Sequence, residues 1–219
     1  MTDRASLAWP KALDRITLGQ ASQLAGVPKA NLSRYRSGAL TPGPRALQRL
    51  EDAAAADNPA ALTRLATIPR YAAAVGRALT ARPARPEHQS VADSAMKPVD
   101  PTGPGEADSV YLVRLARQVL QDAVQVESSG DRRAFLGCPV RLPSPVWNAL
   151  LGGIAAYTAH RVFRMPEPEW TRHAICFLPA PLSPFPGLRP DRLWWDWTMS
   201  PPEFAHRKVI LSAGELQWT

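Results

Sequence analysis

The stretch Thr17–Gly38, TLGQASQLAGVPKANLSRYRSG, decides how this chain is read. Its spacing predicts two short helices joined by a tight turn and carrying cations, the layout of a helix-turn-helix. Thr17 and Gln20 stand at the capping-box interval, so the hydroxyl can satisfy an orphan N–H while the amide reaches back to the Thr17 backbone. A helix therefore begins at Leu18. Ala21 and Ala25 give it a small apolar face, and Ser22 leaves room for a second helix to pack closely. Gly26 can take the left-handed conformation that ends the first helix, after which Val27 points back into the core. The second helix, about Lys29 to Ser37, sets Leu32 and Tyr35 three apart on its inward face.

Lys29, Ala30, Ser33, Arg34 and Ser37 are left facing out. On a helix lying in a major groove, Arg34 would pair bidentately with guanine, Ser33 would bond either way and Ala30 would touch a thymine methyl. Asn31, on the flank, reaches adenine or a phosphate. Arg36, Arg45, Arg49 and the start of the first helix at Thr17 and Gln20 suit phosphates, which set register and affinity rather than sequence choice. The alternative is a small helical domain with no nucleic-acid role, and charge argues against it. Residues 1–56 hold eight Lys/Arg and four Asp/Glu, a net of +4, and Lys29 to Arg49 contains five cations and no acid. A merely solvated surface mixes signs. The whole chain agrees: 219 residues with a net charge of +7 attract polyanions and suffice for two modest cores.

The same residues resemble the helix-turn-helix of the Cro/C1 repressor group (the XRE type) over about residues 10–56. The positions that carry the likeness are Ser22, Gly26, Val27, Leu32 and Tyr35, then SerArgTyrArgSerGly and a ThrProGly before the next helix. The run from Ala25 to Arg34 also resembles the LacI headpiece, but the continuation GALTPGPRALQRLEDA is closer to the Cro/C1 group. Pro28 stands where that group has a Ser or Thr cap, and Ala21 where it has a larger aliphatic. The resemblance implies a sequence-specific transcriptional regulator, a repressor above all, binding double-stranded DNA.

Pro44 opens a further helix at its first turn, where a missing N–H costs nothing, and Leu47 and Leu50 supply its packing face. Pro59 to Ala81 reads as two short Ala-rich helices interrupted at Pro69. The Pro-rich, core-poor segment 82–109 reads as a linker, because it cannot bury enough surface to offset chain entropy. A second module, 110–219, opens with a helix from Val110 on which Leu112, Leu115, Ala116, Val119, Leu120, Ala123 and Val124 recur at helical intervals. A proline-broken stretch follows, then a helix from Pro145 to Val162 that is apolar on most sides and so central to a core or interface. The expected architecture is mainly α: an N-terminal helix-turn-helix bundle within 1–81 and a C-terminal helical module with an irregular Pro/Trp-rich tail.

Six of the seven tryptophans lie from Trp147 onward, among prolines that bar long regular elements. In such a tail aromatics commonly pin loops onto helices. Trp194, Trp195 and Trp197, with Arg189 and Arg192 beside them, are instead the candidate partner-binding surface, since Trp and Arg carry much of the energy at interfaces. Val209 to Leu211 is expected to form one short strand. The tail is loosely similar to that of actinobacterial regulators, some of which resemble antitoxins beside nucleotidyltransferase-like toxins. That likeness runs from Ala159-His-Arg through Pro168-Glu-Trp, Phe177-Leu-Pro and Ser200-Pro-Pro-Glu-Phe to His206-Arg-Lys-Val-Ile, and implies a second reading: an autorepressing antitoxin whose C-terminal module binds a toxin protein.

Other classes find less support. No P-loop, GxGxxG, nucleophile elbow or HExxH occurs, and Glu203 with His206 is a single pair at one-turn spacing, so no enzyme, catalytic residue or cofactor is expected. Cys138 and Cys176 are far apart and outside any CxxC, which speaks against a disulfide framework and for reduced thiols in the cytoplasm. His173 and Cys176 form one H-x2-C unit, too little for a zinc site. The N-terminus shows neither a signal core nor a myristoylation pattern, and the longest apolar run is too short to span a bilayer, so no membrane partner is expected. A single small reading head buries little surface, which predicts a homodimer on a two-fold operator.

Overall fold

The computed structural model describes residues 9–80, 106–184 and 193–211, and these are mainly helical. They belong to two compact units, each described by itself. The first combines Met1–Ala73 with Gln121–Val140; the second combines Ala74–Leu120 with Arg141–Thr219. Residues 121–140, grouped from the sequence with the C-terminal module, therefore belong with the N-terminal unit.

In the first unit a 3-10 turn, Lys11–Arg15, precedes α1 (Leu18–Ala25), α2 (Lys29–Arg36), α3 (Pro44–Ala54) and α4 (Pro59–Leu62). α1 packs against α2, α3 and α4. Ala21, Leu24, Ala25, Val27, Leu32, Leu50 and Leu62 are buried between them, each contributing about 25 cal/mol per Å2 of apolar surface taken out of water. The proline at 69 does not interrupt a helix. It sits in the first turn of α5 (Ile68–Thr80), where its lack of an N–H and its fixed φ are tolerated.

α6 (Glu106–Ala123) starts four residues before the expected Val110, so 106–109 is helix rather than linker; the rest of the expected linker, 82–105, lies outside the described residues. Leu112, Ala116, Val119, Leu120 and Ala123 are buried as their spacing demands, whereas Val124, beyond the helix end, is exposed. The stretch after it, read from sequence as broken by prolines, holds α7 (Ser129–Phe135), capped by Ser128 Oγ, which accepts from the Asp131 N–H at 3.0 Å. α7 packs on α3 and α4. A Cβ on Gly130 would stand 2.3 Å from the Ala55 carbonyl oxygen, so only glycine permits this approach.

The second unit is built round α8 (Pro145–Tyr157), capped by Ser144 and buried on every side from Val146 to Ala156. Its Gly152 and Gly153 admit neighbours that any Cβ would displace: Cys176 at 2.9 Å and the Phe204 ring at 2.5 Å. The helix widens into a π-helical stretch, Thr158–Phe163, which ends at Arg164 in the left-handed region, φ 54°. Two 3-10 turns (Glu169–Arg172 and Ala174–Cys176), α9 (Leu193–Met199) and α10 (Pro202–Ala205) complete the unit. Among the described residues the expected strand at Val209–Leu211 is reduced to one parallel bridge with Leu182: the Leu182 N–H donates to the Lys208 carbonyl at 3.0 Å and the Ile210 N–H to the Leu182 carbonyl at 2.9 Å, but Lys208 at φ 58° breaks the extended backbone on one side and Pro184 has no N–H to continue the ladder on the other.

Arg207, 3% exposed, ties this unit together. Its guanidinium donates to Glu167 Oε2 at 2.8 Å, to the Thr171 carbonyl at 3.2 Å and to the Glu203 carbonyl at 2.8 Å, and lies over the Phe177 ring. Buried Glu203 in turn accepts from Arg161 Nε at 3.2 Å and faces His160 Nδ1 at 3.4 Å. Among the described residues no helix is long and apolar enough to cross a membrane.

Candidate nucleic-acid interface

The face in question is assembled by the α1–α2 pair. The capping box forms: Thr17 Oγ1 accepts from the Gln20 N–H at 3.2 Å, and Gln20 Oε1 accepts from the Thr17 N–H at 3.0 Å. The oxygens of both predicted phosphate contacts are thus engaged in holding the helix start, which leaves the NH2 group of Gln20 as the donor there. Gly26 ends α1 at φ 62°, and Val27 and Pro28 complete a three-residue turn into α2. Ser22 does more than make room: its hydroxyl donates to the Val27 carbonyl at 2.7 Å and clamps the turn to α1. No side chain caps α2 at Pro28.

Leu32 and Tyr35 are buried, which fixes the roll of α2 and turns Lys29, Ala30, Ser33, Arg34, Arg36 and Ser37 outward, with Asn31 half-buried on the flank. The Ser37 hydroxyl donates to the Arg34 carbonyl at 3.2 Å, so it braces the helix end as well as facing out. After Gly38 at φ 74° the chain turns to Gly43, and α3 opens with Pro44 and no side-chain cap, leaving N–H groups at its start. Exposed Arg45 stands in that first turn, and Arg49 donates from Nε to the Arg45 carbonyl at 3.2 Å. Burial lowers the Arg49 pKa from its ordinary value, with Arg45 adding to this and Cys138 and Tyr35 opposing it.

Sequence spacing had no means of showing Arg36's partner. Asp14 Oδ1 lies 3.1 Å from its guanidinium, both side chains about half exposed, and the same oxygen accepts from Trp9 Nε1 at 3.1 Å. Nor did it indicate what stands behind α3. Asp52 Oδ2 accepts from the Cys138 N–H at 3.0 Å, and Gln48 donates to Oδ1 at 3.1 Å. Burial pushes Asp52 above its ordinary range against those two bonds, and pushes the Cys138 thiol up as well, with Asp52 adding and Arg49 and Arg45 opposing. Acids on α3 therefore begin only past the arginines, at Glu51 and Asp52, so the cationic face has an edge.

Of the partner-binding candidates, Trp194, Trp195 and Trp197 are exposed on α9, and Arg189 and Arg192 lie outside the described residues. Trp147 lies fully buried in α8. Glu203 and His206 face different neighbours: Glu203 turns to His160 and Arg161, while the His206 ring meets Phe177 edge-on. Among the described residues no group of three His, Cys, Asp or Glu side chains is placed to hold a metal ion. No family model, no curated protein and no solved structure matches this chain.

Proposed function

We propose that this chain is a sequence-specific DNA-binding regulator, a repressor that lays residues 29–37 in the major groove. The observation that carries the reading is the outward face of α2: two buried anchors, Leu32 and Tyr35, fix its roll, and Lys29, Ser33 and Arg34 face out with no acid on that helix. Arg34 has the fork that matches guanine, with Ser33 beside it and Asn31 on the flank for an adjacent base or phosphate. The uncapped start of α3 with Arg45, and the start of α1 at Gln20, offer backbone N–H groups and a cation to the phosphates on either side. Two copies on a two-fold operator would supply the surface that one reading head lacks.

Binding of the full chain to its own upstream DNA and to random duplex across a salt series tests this. Arg34→Ala should cost about 1–3 kcal/mol on the specific duplex and relax sequence choice, whereas Arg45→Ala should weaken both duplexes alike and lower the salt slope by about one. Equal losses on both duplexes for Arg34→Ala would remove the base-reading role.

A further inference from the structure

We infer that the outward face of α9 is the surface through which two copies of this chain pair. α9 is an amphipathic helix turned inside out. Trp194, Trp195, Trp197 and Met199 are 71%, 53%, 37% and 51% exposed, while Asp196 and, just past the helix, Ser200 are buried. The inversion is held in place by bonds. Ser200 Oγ donates to the Asp196 carbonyl at 2.7 Å and accepts from the Leu211 N–H at 3.1 Å; the first bond would turn with the helix, but rolling it to hide its tryptophans would break the second and strand a buried N–H. The other exposed large apolar side chains among the described residues, Tyr111, Val124 and Val140, stand apart in sequence on three different segments. Scattered single side chains need no partner; three tryptophans and a methionine on two turns of helix do.

The occupant follows from area and charge. Three partly exposed tryptophans with one methionine offer about 500 Å2 of surface, so two such faces can bury up to about 1,000 Å2, the lower bound of a specific interface. Across a two-fold axis a residue near the axis meets its own equivalent, and a charge there would face a like charge. With Asp196 turned inward, Thr198 is the one polar side chain among the exposed positions 194–199, and among these described residues no charge would face its twin. A face shaped for a charged foreign partner would keep a charge to meet it. The pairing rests on the proposed two-fold regulator for its purpose, and its test is separable from that reading.

The experiment is sedimentation equilibrium of the full chain without DNA, beside Trp194→Gln/Trp195→Gln, with far-UV circular dichroism of both. Tryptophan emission and acrylamide quenching follow the same concentration series. The wild-type chain should associate to a dimer with emission shifting blue and quenching falling as it forms. The double variant should keep its helix content and associate at least about tenfold more weakly. A wild-type chain that stays monomeric throughout the series, a variant that dimerises as tightly, or tryptophans that engage only a different protein or lipid vesicles would overturn the inference. Dimers without any preference for operator DNA would instead remove the regulator reading and leave this surface standing.

Discussion

Arg36 already meets an anion within the protein, because Asp14 holds its guanidinium at 3.1 Å. Both groups are half exposed, so the pair contributes at most about 1 kcal/mol to the fold and competes on nearly equal terms with a phosphate. Asp14→Asn should therefore free a cation at little cost in stability, the amide oxygen still accepting from Trp9. The expected result is tighter binding to both specific and random duplex at low salt and a salt slope steeper by up to about one, read from the same titrations. An unchanged slope would place Arg36 away from the phosphates. Sequence composition alone counts Arg36 with Lys29 and Arg34 as equal cations, since Asp14 lies 22 positions before it and no periodicity joins them.

At the scale of elements, legibility followed locality. The Thr17/Gln20 box, the Gly26 stop and the Leu32/Tyr35 anchors are all interactions within a few residues, and each occupies the position that spacing assigns it. Thr17→Ala should destabilise the first unit by about 1 kcal/mol, measured by urea unfolding, because it takes away the acceptor of the Gln20 N–H. What spacing did not disclose depends on distant chain. Pro69 reads as a breaker until a helix start is placed under it, and α7 is too short and too polar to declare a hydrophobic period. Its signal was the Ser128/Asp131 cap, a cue as local as the one that identifies α1. The strand expected at Val209–Leu211 goes no further than one bridge among the described residues, because Lys208 turns out of the extended region before it and Pro184 has no N–H to donate beyond Leu182. The face of α2 was legible because two buried side chains fix it; the inversion of α9 was not, because Ser200, just past the helix, is held inward by the backbone N–H of the distant Leu211.

At the scale of the whole molecule, the second unit carries its own sensitivity to acid. Burial alone would raise Glu167, but hydrogen bonds from Arg207, Thr171 and Arg172 outweigh it and hold the carboxyl below its ordinary 4.5. A carboxylate depressed in the folded state lends stability that is complete above the unfolded value and drains away as pH falls through the folded one. Unfolding of the wild-type chain should thus become easier below about pH 4.5, and Glu167→Gln should flatten that dependence while weakening the protein at neutral pH, where buried Arg207 loses its counter-charge. Denaturant midpoints measured between acid and neutral pH check both. The composition of the first unit bears on something else, the order in which the protein comes off the ribosome. The proposed reading head is complete in sequence by Ala73, but α7, wedged through Gly130 against the end of α3, belongs to the stretch that ends only at Val140. At ordinary translation speeds that is a wait of several seconds, during which the nascent head lacks one of its walls. A chain cut short before that point would carry every outward side chain of α2 and none of the buttress that packs on α3 and α4.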